Sequence, residues 1–139
     1  MNKWNYKSAK VGENLPELII GPISRTNLAL YAGASGDHNP LHIDTDYAKR
    51  IGLPDVIAHG MLIMGYLARV LTNNINQNQI LEYGVQFSSI TNIGETLSCS
   101  GIVKEVLGSK SNKILKLELK VKDQDNDTKL KGYSLIKTS

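Results

Sequence analysis

The stretch Ala58-His59-Gly60-Met61-Leu62-Ile63-Met64-Gly65-Tyr66-Leu67-Ala68-Arg69-Val70-Leu71 decides which fold we expect. Its apolar residues cover nearly every side of a helix instead of one stripe, which is typical of a helix buried inside a protein. The most apolar part, Met61 to Leu71, contains Gly65 and Arg69 and is too short to span a bilayer. We therefore predict a buried helix over residues 58–71.

After Asn73 the pattern changes from helical spacing to alternation. In the clearest segment, Leu115, Leu117, Leu119 and Val121 share one face and charged residues occupy the other. Such alternation is typical of an antiparallel sheet with one face on a core and one toward water. Four segments are predicted to be strands: residues 80–90, 95–107, 113–122 and 129–137. We expect an α+β protein in which these strands form a curved antiparallel meander wrapped around the buried helix.

The residues before the buried helix predict shorter elements. A strand is expected around Leu18–Ile20, and Ser24 is a suitable N-cap for the helix that follows it. That helix must end near Gly36, because Pro40 cannot continue a helix and favours an extended conformation for the residue before it. A second short helix, capped by Asp44 or Thr45, precedes the buried one.

Length and composition fit one domain over residues 1–139, since the chain has neither a linker nor an internal repeat. The single cysteine, Cys99, lies in a predicted strand and is expected to be a small buried residue. The N-terminal segment Met1 to Lys7 has no apolar run that could serve as a signal peptide, so we expect a cytoplasmic protein.

Positive charge is concentrated in the last part of the chain. From Lys104 onward there are nine lysines against five acidic residues, a balance of +4 within an overall net charge of +3. We interpret this region as a solvated strand face kept soluble by lysine, although it could also meet phosphates or an acidic protein. It lacks interleaved aromatic residues and any known motif, so nucleic acid is not an expected partner.

The residues that can carry chemistry lie together between Ser35 and Asp44. Asp37 and His42 flank the rigid dipeptide Asn39-Pro40, and a bend there can fold their side chains together. A carboxylate beside an imidazole is a suitable acid/base pair, because burial and neighbours can set which of them holds a proton. The spacing therefore predicts a proton-transfer site.

A second feature stands at the start of the predicted buried helix. The first N–H groups of a helix have no partner within it and carry the positive end of its dipole. Gly60 has no side chain to keep a ligand away from such an N–H, which suits an oxyanion site. An acid/base pair with a carbonyl-polarising amide favours proton transfer at a carbon next to a carbonyl.

These two segments resemble the MaoC-like (R)-specific enoyl-CoA hydratases and 3-hydroxyacyl-thioester dehydratases. The resemblance rests on Tyr31-Ala-Gly-Ala-Ser-Gly-Asp-His-Asn-Pro-Leu-His-Ile-Asp44 and Ile57-Ala-His-Gly-Met-Leu62, and it covers nearly the whole chain. It implies the hot dog fold, usually as a homodimer. It also implies that Asp37 and His42 are the catalytic pair, that the Gly60 N–H binds the thioester oxygen and that Asn39 braces the catalytic loop. Positions within residues 65–68 would line the acyl pocket.

The expected reaction is the reversible hydration of 2-trans-enoyl thioesters to (R)-3-hydroxyacyl thioesters, without a cofactor. His42 would take a proton from a water that attacks C3, and a proton would reach C2 through Asp37, although the pair is coupled and the roles stay open. Acyl length, direction and carrier, coenzyme A or acyl carrier protein, are also open.

Other functions are compatible with parts of the sequence. A hot dog thioesterase also polarises a thioester carbonyl, and a non-catalytic acyl-thioester-binding or scaffold subunit would share the fold; neither needs the pair Asp37 and His42. A metal site is not expected, since Pro40 breaks the helix that would align His38 with His42. His59 is expected to be a structural hydrogen-bonding residue. The acidic run 123–127 lacks the glycine and glutamate of a calcium loop and is predicted to be a hairpin turn.

Overall fold

The computed structural model describes residues 4–139. Residues 1–3 of the N-terminal segment, for which we expect no signal peptide, lie outside this range. Three α-helices follow one another before most of the sheet: α1 over Arg25–Ser35, α2 over Thr45–Arg50 and α3 over Gly60–Thr72. The five strands are β1 at Leu18–Ile20, β2 at Ile80–Phe87, β3 at Leu97–Gly108, β4 at Lys113–Asp123 and β5 at Thr128–Lys137. Three-residue 3₁₀ turns lie at Tyr6–Ser8, Pro40–His42 and Gln77–Gln79.

The helix boundaries follow from their caps. The Ser24 side chain accepts from Asn27 N–H, and the Asn27 side chain accepts in return from Ser24 N–H, which completes a capping box at the start of α1. Gly36 ends α1 in the left-handed conformation with φ of 77°, where glycine has no steric penalty. Asp44, one of the two predicted candidates, caps α2 by accepting from Asp46 and Tyr47 N–H.

The strands form one antiparallel sheet in the order β1-β3-β4-β5-β2. The predicted four-stranded meander is therefore wrong for β2, which pairs with β5 at the far edge and not with β3. The connection over residues 88–96 is longer than the two to five residues of a typical hairpin loop, so β2 need not lie beside β3. Ser88 N–H instead bonds the Lys129 carbonyl at the start of β5.

Helix α3 packs its inner face on this sheet. Ile63, Leu67, Val70 and Leu71 are buried, as are the inward leucines of β4. Each leucine fully removed from water contributes about 1.5–3 kcal/mol. The opposite side of α3 is open, with Met61 58% exposed. The fold is α+β, a curved antiparallel sheet around a central helix, and it confirms the predicted hot dog class.

Two further predictions concern single positions. Cys99 is fully buried in the core, and burial raises the pKa of its thiol to about 12. The acidic run after β4 is a hairpin turn, as predicted, in which the Asp123 carboxylate accepts from the Asp125 and Asp127 N–H groups. Within residues 4–139, every helix is too short or too polar to cross a membrane.

Candidate active site

The loop after α1 is held in shape by its own side chains. Beyond Gly36, Asp37 N–H bonds the Ser35 hydroxyl at 3.1 Å, and the Asp37 carboxylate accepts from Asn39 N–H at 3.3 Å. The Asn39 side chain then accepts from Leu41 N–H at 3.1 Å and caps the 3₁₀ turn that Pro40 begins. Pro40 has no N–H for a helical bond, and these local side-chain bonds turn the chain back on itself.

This turn brings Asp37 and His42 together. The distance from His42 Nε2 to Asp37 Oδ2 is 3.9 Å, and the His42 side chain is 11% exposed whereas that of Asp37 is 52% exposed. A gap of this length exceeds a direct hydrogen bond. The two predicted residues therefore face each other at the protein surface, with the imidazole largely buried and the carboxylate open to water.

A backbone carbonyl fixes which nitrogen of His42 holds the proton. Nδ1 lies 2.7 Å from the Ile57 carbonyl oxygen, and a carbonyl can only accept, so Nδ1 donates. In the neutral ring Nε2 then has the lone pair, and this is the nitrogen that faces Asp37. Ile57 N–H bonds the Leu41 carbonyl at 3.2 Å in return, which ties this turn to the segment before α3.

Gly60 is the first residue of α3 and borders a cavity shared with His42. The cavity has a volume of about 190 Å³. It is lined by His42, Ile57, Ala58, Gly60, Ile63, Phe87, Ser89, Ile90, Thr91 and Leu130. The Phe87 ring lies over Gly60 so closely that an added Cβ would be 2.9 Å from Phe87 Cε1. The oxyanion candidate thus opens into the same mostly apolar space as the imidazole.

Sequence reasoning missed one wall of this cavity. Phe87, Ser89 and Ile90 belong to the end of β2 and the connection after it, which carry no motif. The residues expected from the resemblance, within 65–68, do not line this cavity; Leu67 is fully buried in the core and Gly65 is exposed. The wall could have been found only from the position of β2 beside β5.

Lys129 holds that wall in place. Its side chain is 2% exposed, and its ammonium lies 2.9 Å from the Asp127 carboxylate, 3.2 Å from Glu95 and 3.3 Å from Asp123. It also donates to the Ile90 carbonyl at 2.8 Å. Burial lowers the pKa of Lys129, but the surrounding carboxylates raise it by more. This residue contradicts the interpretation of the basic region as an entirely solvated face, because it enters the protein to bind three carboxylates.

His59, which is predicted to be a structural hydrogen-bonding residue, contacts both Asp37 and His42. It is 1% exposed, and its Nε2 lies 3.1 Å from the Asp37 carbonyl oxygen. Its ring stacks on that of His42 with centroids 3.9 Å apart, and the rings of Tyr31 and His59 meet in an edge arrangement with centroids 4.7 Å apart. Burial lowers the pKa of His59, which favours the neutral ring.

Asp37, His42 and His59 place one possible ligand atom each within 4.8 Å of the others, as a metal site would require. The contacts above favour a hydrogen-bonded arrangement over a metal site, since His59 Nε2 donates to the Asp37 carbonyl. That the site works without a metal or cofactor stays a prediction.

Known proteins resemble this chain in sequence and in fold. A family model described as MaoC like domain matches residues 8–125. Over 89 residues the chain is 34% identical to the (R)-specific enoyl-CoA hydratase of Rhodospirillum rubrum, a match that covers 60% of this chain and 62% of that relative. Over 88 residues it is 30% identical to the mitochondrial 3-hydroxyacyl-(acyl-carrier-protein) dehydratase of Arabidopsis thaliana, covering 63% and 52% respectively.

The chain therefore spans less than two thirds of the length of either curated relative. Among solved structures, the unliganded R-hydratase of Pseudomonas aeruginosa superimposes with a TM-score of 0.82 and 25% identity, over 95% of this chain and 83% of that one.

Proposed function

Since this chain belongs to the MaoC-like hydratase/dehydratase family, we propose that it adds water to 2-trans-enoyl thioesters or removes it from (R)-3-hydroxyacyl thioesters. The observation that carries the proposal is the 3.9 Å gap between His42 Nε2 and Asp37 Oδ2, which opens beside the cavity that Gly60 borders. A water about 2.8 Å from each atom fits across this gap.

In the hydration direction, His42 Nε2 takes one proton from this water as the water oxygen bonds to C3. The electrons of the 2,3 double bond move toward the thioester carbonyl, whose oxygen becomes negative. Gly60 N–H, at the positive end of α3, stabilises that charge. The proton held by His42 then reaches C2 on the same face by way of Asp37. Both side chains therefore return to their original protonation states. Dehydration is the same sequence reversed.

Asn39 has a supporting role in this proposal. Its side chain and backbone hold both ends of the turn, through Leu41 N–H and the carbonyl that accepts from His42 N–H at 3.0 Å. The imidazole and the carboxylate are then already in place when substrate arrives. Preorganisation of this kind reduces the reorganisation that the transition state requires.

The carrier of the acyl group is either coenzyme A or acyl carrier protein. The first presents phosphates and the second an acidic surface, and lysines such as Lys104, Lys110 and Lys113 suit both. The R. rubrum and A. thaliana relatives are named for one carrier each. Assays with matched substrates on both carriers distinguish them.

We also propose that two copies assemble into a homodimer. Strand β2 is at the edge of the sheet, and an unpaired edge is a site for pairing with another strand. Exposed apolar residues lie along the same region, with Leu81 and Phe87 each 51% exposed and Met61 on the open side of α3. Leu81→Lys should therefore shift the mass measured by light scattering toward one chain, and a wild-type chain of monomer mass contradicts the proposal.

The experiment that tests the function uses a series of enoyl thioesters from crotonyl to dodecenoyl on both carriers. Loss of enoyl absorbance reports hydration, chiral analysis identifies the product, and release of free thiol reports thioesterase activity. We expect (R)-3-hydroxyacyl product and a fall of about 10²–10⁴ in rate for His42→Gln. The matched control is His38→Gln, an exposed histidine in the same turn.

Two outcomes contradict the proposal. Release of thiol without hydration identifies a thioesterase. Saturable binding of the acyl thioester without turnover, unchanged in His42→Gln, identifies a non-catalytic binding subunit.

A further inference from the structure

We propose that His59 is a positioning residue that fixes both members of the acid/base pair, Asp37 through its backbone and His42 through the face of its ring. This inference rests on the proposed function. His59 itself is not placed on the reacting atoms: its Nε2 donates to the Asp37 backbone carbonyl and its ring stacks on that of His42.

The first contact anchors the turn that carries Asp37. A carbonyl oxygen only accepts, so His59 Nε2 carries the proton and donates it to Asp37 O at 3.1 Å. The other hydrogen bonds of Asp37 are to its neighbours Ser35 and Asn39. The His59 bond joins this local turn to the start of α3, where Gly60 lies. The bond thus fixes the position of Asp37 relative to Gly60.

The second contact limits the rotation of His42. The Ile57 carbonyl holds the ring by one nitrogen, which still allows the imidazole to tilt. The His59 ring lies parallel to it within 25° at a centroid distance of 3.9 Å and blocks that tilt. With both constraints, Nε2 points at the gap that the attacking water occupies. A misplacement of about 1 Å in such a site can cost about 10²-fold in rate.

The arrangement also requires His59 to be uncharged. The groups that face its ring are His42, Tyr31 and the Asp37 loop, and burial is the dominant influence on it. A second positive ring stacked on His42 would oppose protonation of Nε2 during the reaction. A neutral ring that donates from Nε2 has its lone pair on Nδ1, and this atom is buried without a partner among residues 4–139.

Because Nδ1 has no partner in the part of the chain that the structure describes, two variants can separate the effect of the Nε2 hydrogen bond from that of the ring stacking. His59→Phe keeps a flat ring against His42 but loses the donor to Asp37. His59→Gln keeps an amide donor near the position of Nε2 but loses the ring. The control is Tyr31→Phe, which keeps the aromatic ring beside His59 and removes only the hydroxyl.

We expect kcat to fall by about 10²-fold in each His59 variant while KM changes less than about threefold, because positioning acts on the transition state. The control should keep at least half of the kcat of the natural chain. Folded His59 variants that keep the kcat and the pH profile of the natural chain overturn the inference. Absence of hydratase activity in the natural chain overturns the proposed function instead.

A measurement on the natural chain keeps the inference testable if the variants do not fold. Nitrogen-15 NMR distinguishes the two neutral tautomers of a histidine and follows its titration. We expect His59 to show the Nε2–H form and, because burial lowers its pKa, to be mostly neutral at the usual histidine pKa of about 6.5. The Nδ1–H form, or a His59 pKa at or above about 6.5, contradicts the inference.

Discussion

Replacement of Lys129 by methionine tests whether a buried ion cluster holds the wall of the cavity. The methionine side chain has a similar length but no charge, so the change removes the ammonium and little volume. Loss of the Lys129 ammonium leaves the Asp123 and Glu95 carboxylates, whose side chains are 6% and 14% exposed, without their common partner. The Ile90 carbonyl loses its donor at the same time.

Removal of one partner of a buried ion pair typically costs 3–5 kcal/mol. We expect the lower end, about 3 kcal/mol, because the Asp123 carboxylate keeps two backbone donors at 2.9 Å. A chain of 139 residues has an unfolding entropy of about 0.3 kcal/mol per kelvin. The expected fall in Tm is therefore about 10 °C.

The loss should also depend on pH. The bond from Lys129, followed by that from Ser89, holds the pKa of Asp127 below its usual range. A carboxyl whose pKa is lower in the folded protein stabilises it above the unfolded pKa of about 4, and this contribution is lost as pH falls through the folded pKa. The Tm difference between the natural chain and Lys129→Met should accordingly be full at pH 7 and narrow below about pH 4.

Thermal unfolding followed by circular dichroism measures both effects. Lys131→Met is the matched control, since Lys131 is exposed on the same strand two residues later. Its Tm should change by less than about 2 °C. A Tm for Lys129→Met equal to that of Lys131→Met would refute the reasoning.

Three further predictions concern single contacts. Gly60→Ala should lower the free energy of unfolding by about 1 kcal/mol, because the new Cβ would lie 2.9 Å from Phe87 Cε1. In a Phe87→Ala background, Gly60→Ala should leave the free energy of unfolding, measured in urea, almost unchanged. Burial raises the pKa of the Cys99 thiol to about 12, so a thiol reagent should react only after unfolding, and rapid reaction of the native protein contradicts its burial. The Arg25 guanidinium, with hydrogen bonds from backbone and hydroxyl, lowers the pKa of Asp55 to about 2. In Arg25→Gln the pKa of Asp55, measured by carbon-13 NMR, should rise toward 4. Because the natural pair lowers this pKa in the folded protein, its contribution to stability is present above about pH 4 and lost as pH falls toward 2. An unchanged titration of Asp55 in the variant contradicts the ion pair.

Local sequence rules account for most of the elements. The alternation over residues 115–121 defines β4, and the caps Ser24 and Asp44 define where α1 and α2 begin. Each of these signals is read within a few residues of chain. The strand order is not of this kind, because the pairing of β2 with β5 joins segments about fifty residues apart, as Gly84 with Tyr133. Periodicity predicts that a segment is a strand but not its neighbour.

The candidate site divides in the same way. The sequence predicts the pairing of Asp37 with His42 because an Asn-Pro bend is a local feature, and the turn between them contains local hydrogen bonds. The Ile57 carbonyl that orients His42 has no sequence signal, since every residue has a carbonyl. Composition predicts that Lys129 lies on a solvated face, whereas its burial depends on three carboxylates that only the folded chain brings together.

In the proposed reaction, Asp37 and His42 act as one unit on one water. Asp37→Asn, His42→Gln and the double variant, assayed by loss of enoyl absorbance, test it directly, with Asp46→Asn as an exposed carboxylate control on α2. We predict that each single change lowers the rate by about 10²–10⁴ and that the double variant loses little more, because the second residue has no function without the first. Unchanged activity in folded Asp37→Asn, or a double loss equal to the product of the single losses, contradicts the claim.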